Sequence, residues 1–179
     1  MRFTDIRRYL KPYSMVASRS TTINHAFAAS IAPSDTFDTK AVRAAVIALG
    51  QDPDADLVCV YCGSEAETWD HVHATVKDKK FSGHGHRLGN LLPCCKPCNS
   101  KKGNKDWRVF LTGLHSMDAE RKKRERIIDS YLKKYGGKDS IPEHLPEYRE
   151  LQELRRQVLE LFIKADKLAT IVRSKTGAI

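Results

Sequence analysis

No apolar run in this 179-residue chain approaches the roughly 20 residues a membrane-spanning helix needs, so no membrane partner is expected. The opening stretch MRFTDIRRYLKPYS carries charge but neither an apolar core nor a small-residue cleavage site. It does not read as a secretory signal, and the expected location is cytoplasmic. Internal repeats and low-complexity tracts are missing too. Cysteine is absent from residues 1–58 and 99–179; all five, Cys59, Cys62, Cys94, Cys95 and Cys98, fall in the middle. An odd number in tight pairs argues against a disulfide framework and for metal binding. Acid is in deficit, with 22 Asp and Glu against 31 Lys and Arg, giving a net charge of +9. That balance attracts polyanions, nucleic acid first among them. The excess is concentrated: residues 76–108 hold nine basic residues and two acids.

With 41% hydrophobic and 30% charged residues, the chain has the composition of a globular protein. Residues 1–52 read as a helical segment. Ile23, Phe27 and Ile31 recur at four-residue spacing before Pro33, and Asp38 caps a second helix that runs to Gly50. Residues 53–112 change period. LVCVYCG and TWDHVHATV predict two strands, or a turn and a strand. KDKKFSGHGHRLG reads as a polar loop, and a helix is expected from Asn90 or Pro93, interrupted near Gly103. Residues 113–179 predict a charged helix over 116–135, with Ser116 and Asp118 as cap candidates, and a long helix over 146–174. In the long helix Leu151, Leu154, Val158, Leu161, Ala165, Leu168 and Val172 follow a heptad pattern. That stripe is expected to pack on the charged helix through Ile127, Ile128, Tyr131 and Tyr135; a homodimer seam is the alternative. The fold class expected is α+β, mostly helical.

Cys59-x-x-Cys62 and Cys95-x-x-Cys98 are two knuckles of the kind that supply four soft ligands to tetrahedral zinc. Cys94 is offset from that spacing and reads as a buried thiol or a neighbour of the metal. Between the knuckles lie Asp70, His71 and His73. If TWDHVH is a strand, His71 and His73 share one face and Asp70 the other. Trp69 is expected in the core and Trp107 packed on the cysteine lobe.

The order Asp70-His71, then Asn90-Leu91-Leu92-Pro93, then Cys95-x-x-Cys98-Asn99 followed by Lys101, Lys102 and Gly103, resembles the zinc-binding HNH endonucleases. The likeness spans roughly residues 57–108. It implies a ββα-metal core stapled by a four-cysteine zinc site, with helical extensions on both sides. It implies hydrolysis of DNA phosphodiesters to 5′-phosphate and 3′-hydroxyl ends, in a stand-alone enzyme of restriction or phage-associated type. His71 would be the general base, as suits an imidazole of near-neutral pKa. Asp70 and Asn99 would hold a catalytic divalent ion, Mg2+ with Mn2+ as substitute, since hard oxygen donors prefer hard cations. Asn90 would brace the loop through backbone bonds. Lys101, Lys102, Lys105 and Arg108, with Lys77, Lys79, Lys80 and Arg87 across the loop, are the expected phosphate contacts on double-stranded DNA. His73 is expected in a structural or substrate-facing role, and His84 and His86 as loop residues facing solvent or phosphate. A homodimer is the simplest way to cut both strands at a symmetric site. The rival reading is a non-catalytic, zinc-dependent nucleic-acid-binding module; a nuclease for RNA or structured junctions is a third.

Overall fold

Capping and chain-end signals place the first helices. Met15–Ala29 forms α1, and Thr39–Ala48 forms α2, with the Asp38 carboxylate accepting from the Ala41 N–H. Gly50 follows α2 at φ +73°, where a side chain would be strained. The computed structural model describes residues 2–177. It is α+β, with six α-helices and two small antiparallel sheets among the described residues. Two compact units emerge: residues 28–141, and the described parts of 1–27 with 142–179.

In the larger unit, Thr68–His71 (β1) pairs antiparallel with Leu91–Cys94 (β4), Thr68 opposite Cys94 and His71 opposite Leu91. Between them Val76–Lys77 (β2) and Lys80–Phe81 (β3) make a tight hairpin whose tip, Asp78 and Lys79, takes positive φ at both residues. That is the turn geometry matching the natural strand twist. The hairpin is rooted by Val76 and Phe81, which pack with Ala28 and, at the margin, Ile31 and Ile141. After β4 come Lys96–Lys102 (α3), Trp107–Leu114 (α4) and Asp118–Tyr135 (α5).

Two expectations about boundaries need correction. Residues 91–94 are strand, not helix: they complete the ladder to β1, and the helix begins only at Lys96, after Cys95. The cap of α5 is Met117, which contributes no side-chain bond, and neither Ser116 nor Asp118 fills that position. The segment 59–62 resolves to a turn, with only the Val58–Glu65 bridge beside it.

The main core gathers Ala45 of α2 and Leu49 just after it, Trp107, Phe110 and Leu111 of α4, Ile128 and Tyr131 of α5, and the buried cysteines. This consumes the face of α5 assigned from sequence to the long helix. Ile128 and Tyr131 are buried here, and Ile127 and Tyr135 border the same cluster. Tyr131 also donates its hydroxyl to the Leu88 carbonyl at 2.6 Å. Gly89 lets α5 approach, since a Cβ there would lie 1.9 Å from the Tyr135 carbonyl oxygen.

The smaller unit is built on α6, Pro146–Thr176, about 46 Å long at 1.5 Å per residue. Its neighbour is α1. The Asp166 carboxylate caps the start of α1, accepting from the Met15 N–H at 2.8 Å and the Ser14 hydroxyl at 2.7 Å. Those bonds hold its carboxyl below the usual range. Arg155 donates to buried Asn24, so the two helices run antiparallel. The heptad stripe is split: Leu151, Val158 and Ala165 are half-buried, while Leu154, Leu161, Leu168 and Val172 are exposed.

Ile128 is fully enclosed beside the cysteines. Ile128→Ala is expected to cost about 2–5 kcal/mol of stability, read from urea unfolding. A loss under 1 kcal/mol (about the cost of a surface change) would show that α5 does not seal this core.

Candidate functional site

Four sulfur atoms meet. The ligating atoms of Cys59, Cys62, Cys95 and Cys98 all lie within 4.8 Å of one another, and Cys62 Sγ is 3.6 Å from Cys95 Sγ. Tetrahedral zinc with bonds of about 2.3 Å sets its sulfurs about 3.8 Å apart, so the cluster fits such an ion. The backbone builds both halves. Gly63 at φ +81° closes the first knuckle, its N–H on the Cys59 carbonyl at 2.8 Å. Cys95 caps α3, which brings Cys98 into its first turn. The knuckles are joined by the Val60 N–H on the Pro93 carbonyl at 3.0 Å. Contact with Cys94 lowers the Cys59 thiol, whereas burial pushes Cys98 up. Cys94 is a fully buried core thiol, 3.9 Å from Cys59 Sγ and bonded to the Cys95 carbonyl.

On β1, Thr68 and Asp70 face α3, where Asn99 and Lys102 meet them, and Trp69 between them faces the other way, as strand alternation requires. Asp70 is only 4% exposed. Its Oδ2 accepts from the Tyr61 hydroxyl at 2.7 Å and pairs with Lys102 Nζ at 3.0 Å. Lys102, 1% exposed, also donates to the His71 carbonyl at 2.7 Å. Burial, then the charge of Asp70, pushes the Tyr61 hydroxyl up, so it remains a donor. Both bonds fall on one carboxylate oxygen; Oδ1 is uncommitted among the described residues. Asn99, half-buried on α3, lies beside this face, its Nδ2 3.5 Å from Thr68 Oγ1.

Asn90 is buried and saturated. Its Oδ1 accepts from the His73 N–H at 2.8 Å, and its Nδ2 donates to the carbonyls of His73 and Gly85, each at 3.0 Å. One amide thus ties the end of β1 to the loop before β4. Four of the seven histidines pair around this loop. His71 Nε2 lies 2.9 Å from His86 Nδ1, and the His73 and His84 rings stack at 4.4 Å. Burial, then His86, holds the His71 imidazole below its ordinary value, so it stays neutral.

Several expected positions change. Lys102 is enclosed and cannot reach a phosphate. Arg87 is bound by Asp35 and Asp139, each at 2.8 Å, and Arg108 pairs with Asp129. Lys77, Lys79, Lys80, Lys101 and Lys105 are exposed. Trp69 is 43% exposed, on the strand face away from α3, whereas Trp107 is fully buried. Sequence spacing singles out neither His86 nor Tyr61 as a partner of the Asp-His pair. The one signal for His86 is a second histidine pair, spaced like the first, at the far end of the same loop.

The stacked pair generates a pH dependence. Burial first, then His84, lowers His73; burial first, then Lys138, lowers His84. The fold accepts these rings neutral. An unfolded chain protonates them near 6.5, the folded chain only at lower pH, so stability is full above that value and declines as pH falls through it. The melting temperature is expected to be level at about pH 7–8 and to drop between about pH 6.5 and 5, with the drop reduced in His84→Phe. An identical drop in that variant assigns the effect elsewhere.

No family model matches the chain, and no curated protein and no solved structure is found similar to it.

Proposed function

We propose that this chain is a metal-dependent DNA endonuclease of the HNH type, with zinc in the four-cysteine cluster. The observation that carries the reading is Asn90. It has the residue type that the motif calls for, it stands directly before β4, and its amide is spent on the chain that follows His71. His71 is the base: neutral, at the end of β1, one residue from a carboxylate. Asp70 Oδ1 and Asn99 Oδ1 are the oxygens offered to a divalent ion, and in type they fit magnesium or manganese. Bound there, the ion would relieve charge on the phosphate. The residues themselves hold the substrate and move the proton. His71 takes it from water, and the exposed Lys77, Lys79, Lys80, Lys101 and Lys105 contact the backbone of duplex DNA. Cutting both strands calls for a second copy, and the exposed leucines of α6 offer a seam.

The Asp70–Lys102 pair favours the rival, a zinc-dependent nucleic-acid-binding module without catalysis. There the carboxylate is already neutralised and serves only the fold.

Nicking of supercoiled plasmid with Mg2+ or Mn2+ separates the two readings. Cleavage is expected from the wild type and is expected to fall at least about 100-fold in His71→Ala, with zinc content and fold retained. Binding without cleavage under any divalent ion decides for the module. Lys102→Met tests the ion site directly. Leaving Asp70 unpaired is expected to cost about 3–5 kcal/mol. Added Mg2+ or Mn2+ is expected to raise the melting temperature of the variant more than that of the wild type. Equal shifts would remove Asp70 as a ligand.

A further inference from the structure

We propose that His86 is a positioning residue for His71, fixing its tautomer so that Nδ1 is the atom left to take a proton; the inference rests on the nuclease reading. The two rings meet edge to face, centroids 5.0 Å apart and planes at 68°, with His71 Nε2 2.9 Å from His86 Nδ1. A neutral imidazole has one N–H, so this contact needs one donor. With His71 donating from Nε2, its Nδ1 lone pair is free and His86 carries its own hydrogen on Nε2. When water gives up a proton, the O–H bond breaks and the proton goes to His71 Nδ1. The oxygen keeps the electron pair with which it attacks phosphorus; as that bond forms the P–O3′ bond breaks, and the leaving 3′-oxygen takes its electron pair and picks up a proton from solvent, leaving 5′-phosphate and 3′-hydroxyl ends. The imidazolium formed still donates from Nε2 to His86 Nδ1, and a charged donor makes that bond stronger.

The placement of His86 is built, not incidental. Its N–H donates to the Pro33 carbonyl at 2.8 Å, and its own carbonyl accepts from the Asp35 N–H at 3.2 Å. Next to it, Gly85 is held by the Asn90 amide, and a Cβ there would lie 2.2 Å from the Pro33 oxygen. On the other side Arg87 is clamped by Asp35 and Asp139, and the Leu88 N–H donates to Asp35 Oδ2 at 2.8 Å. A stretch remote in sequence, residues 33–35, thus grips the backbone on which this imidazole sits.

The test combines kinetics with nitrogen NMR of the full-length protein. His86→Phe removes the acceptor and keeps a ring. His86→Asn keeps a carbonyl oxygen near the place of Nδ1. In the wild type His71 is expected as the Nε2–H tautomer, in His86→Phe as a mixture, and in His86→Asn as the wild-type form. Plasmid nicking is expected to lose about 100-fold in kcat in His86→Phe with KM little changed, and to recover most of that in His86→Asn. Finding the Nδ1–H tautomer at His71 in the wild type overturns the inference, as does wild-type kcat in His86→Phe. A wild type that binds DNA and nicks nothing overturns the nuclease reading instead, while the tautomer spectra still decide whether His86 sets His71.

Discussion

The larger unit depends on the meeting of two short turns of chain. Cys59 and Cys62 lie on a turn after α2, Cys95 and Cys98 at the start of α3, and their sulfurs converge within 4.8 Å. Everything from Gly63 to Cys94 is a closed loop rooted at that point. Such a loop has little of its own to hold it: two strands of four residues, a hairpin of two-residue strands, and a polar stretch between. A two-stranded sheet is marginal in water without a helix against it. Closure at the cysteines brings that helix, α3, against β1, and the main core then seals around the cluster from α2, α4 and α5.

Asp70 is where fold and site coincide. Tyr61 reaches it from within the first knuckle and Lys102 from the last turn of α3, so one carboxylate joins three elements. A buried ion pair adds little net stability, because both charges lose water, but it is costly to break from one side. The pair therefore specifies an arrangement. It fixes the angle of α3 on β1, which sets Asn99 beside the strand. It also neutralises the group that a divalent ion would use, so any ion bound there shares Asp70 with an ammonium.

Those features that sequence made legible are local ones. Knuckle spacing, the Asp38 cap and the end of α5 at glycine each follow from a few adjacent residues. What stayed hidden depends on partners far along the chain. Lys102 belongs to a run of lysines, and nothing in that run says that one of them turns inward to Asp70. Leu91–Cys94 looks like a helix start because Pro93 suits one; only the pairing with β1 makes it a strand. The apolar residues of α5 and α6 match each other in type, yet those of α5 are taken by the cysteine core and α6 finds its capping partner in α1. Trp69, the more hydrophobic choice for the strand's inner face, is displaced from it by Asp70, because the ion pair needs the side toward α3.

The same logic explains why the loop carrying His86 is so heavily tied. On the nuclease proposal His71 is a base, which must be held within about half an ångström of its productive position, and a short polar loop cannot hold itself to that tolerance. Here Asn90 pins it from below, Asp35 and Asp139 from the flanks through Arg87, and the Tyr131 hydroxyl from α5 through the Leu88 carbonyl. These ties come from separate stretches of chain, before the motif, within it and after it. The placement of the loop beside the His71 ring is therefore a property of the whole larger unit, since segments on either side of the motif help to hold it.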